Sequence, residues 1–215
     1  MSARIHVAAL VEEGVQIGDG TSVWDNVHVR GPSRVGSDCI VGEKSYIAYG
    51  VEIGDRVKIN AFVYICTAVT IEDGVMISAG TTFTNDRFPR ATTPDLSEPR
   101  SSDPDEHTLP TLVREGATIG ARAVIGPGVV IGRWAMVGMG AVVTRSVPDF
   151  HLVVGSPARG VALVCRCGEP MLHFDDGRPP ESGPVTCPAC ELRYALEGGS
   201  VVELCPPTPL VRATA

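Results

Sequence analysis

Four cysteines in the C-terminal part of the chain have the spacing of metal ligands. Cys165 and Cys167 form a CxC pair, Cys187 and Cys190 form a CxxC pair, and 19 residues separate the pairs. Two close pairs of this kind can present four thiolates to one ion, and structural Zn²⁺ takes a tetrahedral thiolate set. The spacing therefore predicts a structural zinc site. The alternative is four reduced thiols that pack as small apolar residues.

A second polar group, in the middle of the chain, begins with Asn85 and Asp86. Asn-Asp pairs often cap turns, but loops that leave a rigid scaffold also carry binding and catalytic residues, so both interpretations stay open. Arg87 and Arg90 follow on the same segment. Their forked donors suit a carboxylate or a pyrophosphate, although solvated surface arginines are equally common.

The elements that position these residues are set by a repeat of six. An aliphatic residue or a close substitute returns at every sixth position from Ile5 to Phe83, and a small or β-branched residue follows four positions later. Neither a helix nor a simple strand has this period, which predicts a parallel β-helix of three-sided coils. We expect the glycines directly after the aliphatic position, such as Gly18 and Gly42, to supply corners with φ > 0.

The repeat breaks once and then ends. Residues 84–112 contain five prolines and no glycine, and a loop of this length in a compact domain is usually functional or disordered. The repeat resumes at Val113 and runs to Val143, which gives 20 hexads and between six and seven coils. We therefore predict a β-helix domain at 1–160 with a loop at 84–112, a cysteine-rich segment at 161–205 and a disordered tail at 206–215.

Several stretches of the chain resemble one protein family. The resemblance is to bacterial hexapeptide-repeat acyltransferases, specifically those that N-acetylate the 3-amino group of nucleotide-linked sugars, and most of all the UDP-2-acetamido-3-amino-glucuronate N-acetyltransferases. The stretches that carry it are VWDNVHVR (23–30), IEDGVMISAGTTFTNDRFPRA (71–91), GATIGARAVIGPGVVIG (116–132), VGMGAVVTRSVPDF (137–150), VVGSPAR (153–159) and CPACELRYALEGG (187–199). The family implies an all-β fold, a left-handed parallel β-helix with a long loop insertion, here followed by a small zinc-ribbon-like segment.

The resemblance also implies site residues. The residue that matches Asn85 holds the substrate amine in that group, without a histidine base, and Asp86, Arg87 and Arg90 on the same segment are candidates for substrate binding. His28 is a further candidate because residues 18 apart stack in one column, which aligns His28 with Tyr46 and Tyr64 on the outside. The alternative is that this column packs against a neighbouring subunit. Acetyl-CoA is expected along the later coils as acyl donor. Its candidate contacts are Gly138, Gly140, Ala141, Arg145 and Arg159. The acceptor is expected to be a nucleotide-linked amino sugar, bound between the subunits of a homotrimer.

Composition and motifs exclude several other functions. The net charge of −7 leaves no electrostatic footprint for nucleic acid, and no apolar run is long enough for a membrane span. Since no apolar leader precedes Ile5, we expect a cytoplasmic protein. A carbonic anhydrase built on such coils needs three clustered histidines, and the histidines here are scattered. A non-catalytic β-helix scaffold, a dTDP-3-amino-sugar or 4-amino-sugar N-acetyltransferase and an O-acetyltransferase stay open as alternatives.

Overall fold

The computed structural model describes residues 1–175 and 177–207 of the chain. Among these residues every regular element is a β-strand, and no helix is present that could cross a membrane. The predicted disordered tail, 206–215, lies outside the described residues from position 208 onward.

Short strands at regular intervals form the first and larger part of the molecule. They are β1 (Arg4–Ile5), β2 (Leu10–Val11), β3 (Val15–Ile17), β4 (Ser22–Val23), β5 (His28–Val29), β6 (Ser33–Val35), β7 (Ile40–Val41), β8 (Tyr46–Ile47), β9 (Glu52–Ile53), β10 (Lys58–Ile59), β11 (Tyr64–Ile65), β12 (Val69–Ile71), β13 (Met76–Ile77), β14 (Thr82–Phe83), β15 (Thr111–Val113), β16 (Thr118–Ile119), β17 (Val124–Ile125), β18 (Val130–Ile131), β19 (Met136–Val137) and β20 (Val142–Val143).

Every third strand belongs to the same parallel sheet, so the three sheets form the sides of a prism. One sheet runs β1-β4-β7-β10-β13-β16-β19, a second β2-β5-β8-β11-β14-β17-β20, and a third β3-β6-β9-β12-β15-β18. Paired residues are 18 positions apart, as in Ile47 with Ile65 and Ile59 with Ile77. The strands make six full coils and two sides of a seventh, which confirms the predicted three-sided parallel β-helix.

The core of the prism is the repeated aliphatic position. Ile47, Ile65, Ile77 and Phe83 have no exposed side-chain surface, and the small residues four positions after the three isoleucines, Val51, Val69 and Thr81, are equally buried. Full burial of such a side chain contributes about 1.5–3 kcal/mol. Each hexad of the buried coils adds one such residue to the interior. Burial of these side chains and the hydrogen bonds between stacked strands therefore favour the same pairing register.

The glycines after the aliphatic position serve a different purpose from the predicted one. Gly18 and Gly42 do not have positive φ; instead, a Cβ at either would lie about 2.6 Å from the backbone of the next coil. The expectation of φ > 0 there was wrong, because these positions are limited by the close approach of stacked backbones. Positive φ occurs two residues later, and there non-glycine residues such as Asn26 and Lys44 adopt it as well.

The long loop is an insertion at one corner between β14 and β15. Across it the stacking offset rises from 18 to 42 residues, as in Met76 with Thr118, and the coils then continue in register. The insertion returns on itself, because Asp86 bridges Thr108 and the Leu109 N–H donates to the Asn85 carbonyl at 2.8 Å. Its two ends therefore leave and rejoin the prism at the same place.

Six further strands follow the prism. They are β21 (His151–Val154), β22 (Arg159–Val164), β23 (Pro170–His173), β24 (Ser182–Thr186), β25 (Arg193–Glu197) and β26 (Ser200–Glu203). Strand β21 stacks in parallel on β19, and β22 and β23 extend that sheet with antiparallel pairing. This covers the edge that the last coil would leave unpaired. Strands β24 to β26 form a separate antiparallel sheet.

The C-terminal segment has a core of its own. Phe150, Leu163, Tyr194 and Leu196 are buried together with Cys165 and Cys187, and Trp134 from the prism packs against them. The segment is therefore a small second unit that is attached to the end of the β-helix through shared side chains.

Candidate functional site

Asn85 lies at a corner of the prism where the inserted loop departs. It is half-buried, and its side-chain amide Nδ2 donates to the main-chain oxygen of Thr67, one coil below, at 3.3 Å. The hydrogen bond fixes the amide orientation, because a main-chain carbonyl can only accept. The side-chain oxygen Oδ1 of Asn85 is thereby left to accept a hydrogen bond from a ligand.

Asp86 supports the first turn of the loop. Its carboxylate accepts a hydrogen bond from the Phe88 N–H at 2.7 Å, a typical Asx turn. Both interpretations of the Asn-Asp pair therefore have a structural counterpart, since Asp86 holds the turn and Asn85 faces a cavity of about 90 Å³. The cavity is lined by Thr67, Asn85, Asp86, Arg90, Arg100, Ser101, Ser102, Asp103, Pro104, Asp105 and Thr108. Of the residues described, no histidine is among them.

A larger cavity of about 490 Å³ opens inside the loop next to the first one. Phe88, Leu96 and His107 contribute apolar and aromatic surface, and Arg90 and Arg100 line both cavities. Arg100 donates to the Phe88 carbonyl at 3.2 Å and pairs with Asp105. Arg90 and Arg100 thus supply positive charge beside Asn85, and Asp86, Asp103 and Asp105 supply negative charge to the same cavity. Sequence reasoning missed Arg100, because no spacing rule indicates that this loop folds back.

Arg87 does not belong to the residues that line either cavity. Its guanidinium instead lies over the Phe88 ring, 5.3 Å from the ring centroid, and its main-chain N–H donates to the His107 carbonyl. The structure therefore separates the two predicted arginines. Arg90 faces the cavities, whereas Arg87 lies on the outer side of the loop.

His28 begins a column of aromatic residues on the second sheet. His28, Tyr46 and Tyr64 are paired in register, with successive ring centroids 5.3 Å apart. The Nε2 atom of His28 lies 2.7 Å from the Glu12 carboxylate, which also accepts from Arg30. The hydrogen bond from His28 is the largest cause that lowers the pKa of Glu12. The imidazole is therefore engaged by a carboxylate that sequence reasoning did not single out.

The predicted contacts to the acyl donor form two groups, the two arginines and the three small residues. Arg145 and Arg159 are both exposed, and they line a common cavity of about 260 Å³ at the end of the prism. Its other lining residues are Ser146, Val147, Pro148, His151, Val153, Ala158, Gly160, Gly177 and Pro179. Two cationic side chains and no carboxylate line this cavity in the described part of the chain, so it suits an anionic group.

The small residues predicted to line the donor path are placed differently from one another. Gly140 has open space where a side chain would stand, whereas a Cβ at Gly138 would lie 2.7 Å from Val154. Ala141 is fully buried, so its methyl group packs inside the prism. The main chain at Ala141 stays a predicted contact for the acyl donor, because that prediction depends on the small size of the side chain. Among the three positions, Gly140 is the one with open space where a side chain would stand.

The four cysteines predicted as metal ligands come together. Their Sγ atoms all lie within 4.8 Å of one another, with Cys165 to Cys190 at 3.5 Å and Cys167 to Cys187 at 3.6 Å. Tetrahedral Zn²⁺ with bonds of about 2.3 Å needs sulfur atoms about 3.8 Å apart, so the donor set fits the ion. Cys205 lies outside this cluster.

The two remaining cysteines lie inside the prism. Cys39 and Cys66 are buried, and burial raises the pKa of the Cys66 thiol to about 11. A thiol held neutral in this way is a packing residue, with little thiolate available at neutral pH.

The family model for bacterial transferase hexapeptide repeats matches residues 14–49, 50–85 and 110–145, just over half of the chain. The chain belongs to this family. A second hexapeptide model, described for succinyl-transferases, matches residues 32–67. The first model stops at Asn85 and resumes at 110, so the loop is an addition to the hexapeptide transferase framework, as is the C-terminal segment.

Two curated relatives match parts of this hexapeptide transferase. The dTDP-3-amino-3,6-dideoxy-alpha-D-galactopyranose 3-N-acetyltransferase of Aneurinibacillus thermoaerophilus is 36% identical over 94 residues, which are 44% of this chain and 45% of that protein. The bifunctional protein GlmU of Geotalea uraniireducens is 35% identical over 63 residues, 29% of this chain and 14% of that protein. The chain thus spans less than half the length of the curated relatives it matches.

Solved structures share the fold at low sequence identity. AntD, an N-acyltransferase from Bacillus cereus in complex with dTDP and 3-hydroxybutyryl-CoA, is 21% identical with a TM-score of 0.52, covering 77% of this chain and 81% of that one. LpxA, a UDP-N-acetylglucosamine acyltransferase from Bacteroides fragilis, is 12% identical with a TM-score of 0.60, covering 75% and 61%. These likenesses establish the architecture of the hexapeptide transferase and nothing finer.

Proposed function

We propose that this hexapeptide transferase moves an acetyl group from acetyl-CoA to the 3-amino group of a nucleotide-linked amino sugar, of the UDP-2-acetamido-3-amino-glucuronate type. The observation that carries the proposal is Asn85, whose amide is fixed by Thr67 so that Oδ1 is an acceptor beside a cavity. The similarity to a sugar 3-N-acetyltransferase supports it.

In the proposed reaction Asn85 orients the acceptor. Its Oδ1 accepts a hydrogen bond from the neutral 3-amine, which aims the nitrogen lone pair at the thioester carbonyl. The new C–N bond forms, the C–S bond breaks, and the departing thiolate takes the proton that the nitrogen loses. Positioning supplies most of the rate, and main-chain N–H groups stabilise the developing oxyanion. No imidazole takes part, in keeping with a cavity whose described lining contains none.

The other site residues bind the two substrates. Arg90, together with Arg100, is proposed to hold the sugar carboxylate or the pyrophosphate, because both line the cavities beside Asn85. Asp86 keeps the loop in place, and Arg87 is available to the nucleotide only at the outer side of the loop. His28 is proposed as a contact for the nucleotide along the aromatic column.

The acyl donor is proposed to lie on the later coils. Arg145 and Arg159, which share a cavity whose described lining contains no carboxylate, would take the phosphates of CoA. Gly140, with open space above it, would allow the pantetheine arm to approach the backbone.

The acceptor has one close alternative. The name of the relative from Aneurinibacillus specifies a dTDP-linked 3-amino sugar, so a thymidine-linked acceptor is the second candidate. Transfer to a 4-amino group or to a hydroxyl group, and a purely structural β-helix, are the outcomes that the experiment must separate.

The decisive experiment measures thiol release from acetyl-CoA with a panel of UDP- and dTDP-linked 3-amino and 4-amino sugars. We expect turnover with 3-amino sugars and a loss of about a hundredfold or more in kcat/KM for Asn85→Ala. Asn60→Ala is the matched control, since Asn60 lies at a prism corner away from both loop cavities. Near-normal turnover of Asn85→Ala would falsify its role. If no 3-amino sugar is turned over and acetyl-CoA does not raise the thermal midpoint, the non-catalytic β-helix scaffold is the interpretation that remains.

The assembly is proposed to be a homotrimer. Trp24, Ile40, Phe62 and Tyr64 are exposed on the outside of the prism, and such apolar surface usually marks association. Light scattering coupled to size-exclusion chromatography tests the stoichiometry, and a monomer would overturn it. Because acetyl-CoA and reduced thiols both belong to the cytoplasm, we propose that location, which cell fractionation tests.

We also propose that Cys165, Cys167, Cys187 and Cys190 bind one structural Zn²⁺. The support is the donor set and the sulfur–sulfur distances given above. Four protein ligands leave no open position, so the ion would stabilise the segment without taking part in acyl transfer.

A further inference from the structure

The spacer, residues 168–186 between the two cysteine pairs, forms one wall of the arginine cavity. Gly177 and Pro179 of the spacer line the same space as Arg145 and Arg159, which come from the prism and from the start of β22. The other lining residues come from 145–160, so the spacer closes one side of a cavity that the last coil and the start of β22 otherwise form.

The spacer is held on one side by strand pairing. Strand β22 runs from Arg159, in the cavity, to Val164, directly before Cys165, and β23 of the spacer pairs antiparallel with it. After β23, the Phe174 N–H donates to the Val161 carbonyl at 2.9 Å. The Phe174 ring meets the His151 ring edge-on at 5.5 Å, which brings the spacer to the floor of the cavity.

The two ends of the spacer are held by the cysteine cluster. Cys167 precedes it and Cys187 follows it, and their Sγ atoms are 3.6 Å apart. Next to the cluster, Arg166 lies over the Trp134 ring at 4.6 Å and pairs with Glu203, so the cluster is also fastened to the prism. A bond that closes this 19-residue loop removes chain entropy from the open state, by the same principle as a metal clip.

From this arrangement we propose that the ion held by the four cysteines keeps the spacer in place as the wall of the arginine cavity, so that the affinity for the phosphates of the acyl donor depends on the metal. The inference rests on the proposed function, since it takes CoA as the anion. It assigns the metal a role in donor affinity at a distance, with no role in the acyl-transfer step. Removal of the metal should therefore raise KM for acetyl-CoA much more than it lowers kcat.

The test uses three single variants of the full chain, together with Arg159→Ala alone and combined with Cys190→Ser. Cys190→Ser removes an exposed ligand, and Cys205→Ser makes the same change at an exposed cysteine outside the cluster. Pro179→Gly loosens the wall and leaves all four cysteines in place. For each variant, zinc content is measured by mass spectrometry, CoA binding by calorimetry, and kcat and KM for acetyl-CoA by thiol release.

We expect about one zinc per chain in the wild type, Cys205→Ser and Pro179→Gly, and less in Cys190→Ser. Both Cys190→Ser and Pro179→Gly should raise the Kd for CoA by about fivefold or more, with kcat at saturation changed by about twofold or less. When Arg159→Ala is already present, Cys190→Ser should raise the Kd for CoA by a smaller factor than it does alone, because the two changes act on one cavity.

Each contrary result points to a different error. A wild type without zinc, or a metal-free protein that binds CoA as tightly as the holoprotein, overturns this inference and leaves the acyltransferase proposal intact. Full zinc content without any CoA binding overturns the proposed function. If Cys190→Ser does not fold, Pro179→Gly is the deciding variant. An unchanged affinity for CoA in Pro179→Gly would show that the spacer does not contribute to CoA binding.

Discussion

The prism and the C-terminal segment are two all-β regions that are stabilised by different means. In the prism, most strands stack on one 18 residues away, and the buried residues repeat one large, mostly aliphatic side chain and one smaller side chain per hexad. In the C-terminal segment, the buried set is mixed and includes Tyr194, Phe150 and two cysteines. The prism therefore distributes its stability over many equivalent coils, whereas the segment concentrates it in a few unique contacts.

The largest expected effect of this difference is the response to chelation. Structural Zn²⁺ contributes about 10–16 kcal/mol of apparent binding free energy in small zinc domains, so removal should unfold the segment. The prism, which holds none of the four ligands, should keep its cooperative thermal transition. Limited proteolysis and circular dichroism with and without chelator measure this. Loss of both regions together would show that the prism depends on the segment, and no change in either would argue against the metal.

Glycine substitutions test the backbone contacts of the prism. Gly42→Ala would place a Cβ 2.6 Å from the Asn60 backbone. Neither coil can move away without breaking the backbone hydrogen bonds between the stacked strands. We expect a loss of about 3 kcal/mol or more in the free energy of unfolding. Gly140→Ala is the control, because it has positive φ but open space, and should cost only about 1 kcal/mol. Chemical denaturation compares the two, and equal costs would mean that the coils are not tightly stacked.

A smaller effect on stability is expected when one ion pair is broken in each of the two regions. Arg166 pairs with Glu203 at side-chain exposures of 17% and 12%, and also packs on Trp134. Arg166→Gln should cost about 1–3 kcal/mol, since it leaves the largely buried carboxylate of Glu203 without its ion-pair partner. Arg56 and Asp73 form an exposed pair on the prism, and Arg56→Gln should stay within about 0.5 kcal/mol. A double-mutant cycle at each pair measures the coupling, and a stronger coupling at Arg56 would reverse the comparison.

The smallest expected effect is the pH dependence that His151 contributes. Burial is the main cause that lowers its pKa in the folded state, although the Asp149 carbonyl partly opposes the shift. The unfolded chain therefore takes up the proton first as pH falls, and stability should decrease from about pH 6.5 downward. His151→Phe should flatten this decrease, as shown by thermal midpoints between about pH 5 and 8. If the thermal midpoint of His151→Phe decreases as steeply with falling pH as that of the wild type, other titratable groups cause the decrease.

The sequence predicts the prism well because its information is periodic. Every hexad repeats the inward residue, so Ile47 and Ile65 indicate the fold before any contact is known. The role of Gly42 was missed for a related reason, since the period identifies a restricted backbone position without showing whether φ or a neighbouring coil restricts it.

The candidate site is less predictable because it lies where the period ends. Asn85 could be selected from the break in the repeat and from the resemblance. The approach of Arg100 to Arg90, and of Glu12 to His28, depends on loop and side-chain geometry that no spacing rule contains. The cysteine cluster was predictable because its CxC and CxxC pairs have the close spacing that metal ligands require.

The stacking offset of 18 residues has a consequence for how the chain can change in length. An insertion of one residue within a strand would turn the aliphatic side chains that follow it outward. Six extra residues would rotate everything that follows by one side of the prism, which would carry the loop, and Asn85 with it, to another side. Within the regular hexads, only insertions or deletions of whole coils keep Asn85 on its column, and each shifts it along the axis by about 4.8 Å. Extra residues that loop out at a corner, as 84–112 do, leave the register of the coils unchanged. Among relatives with this architecture, length differences within the regular coils before the loop should therefore come in multiples of 18.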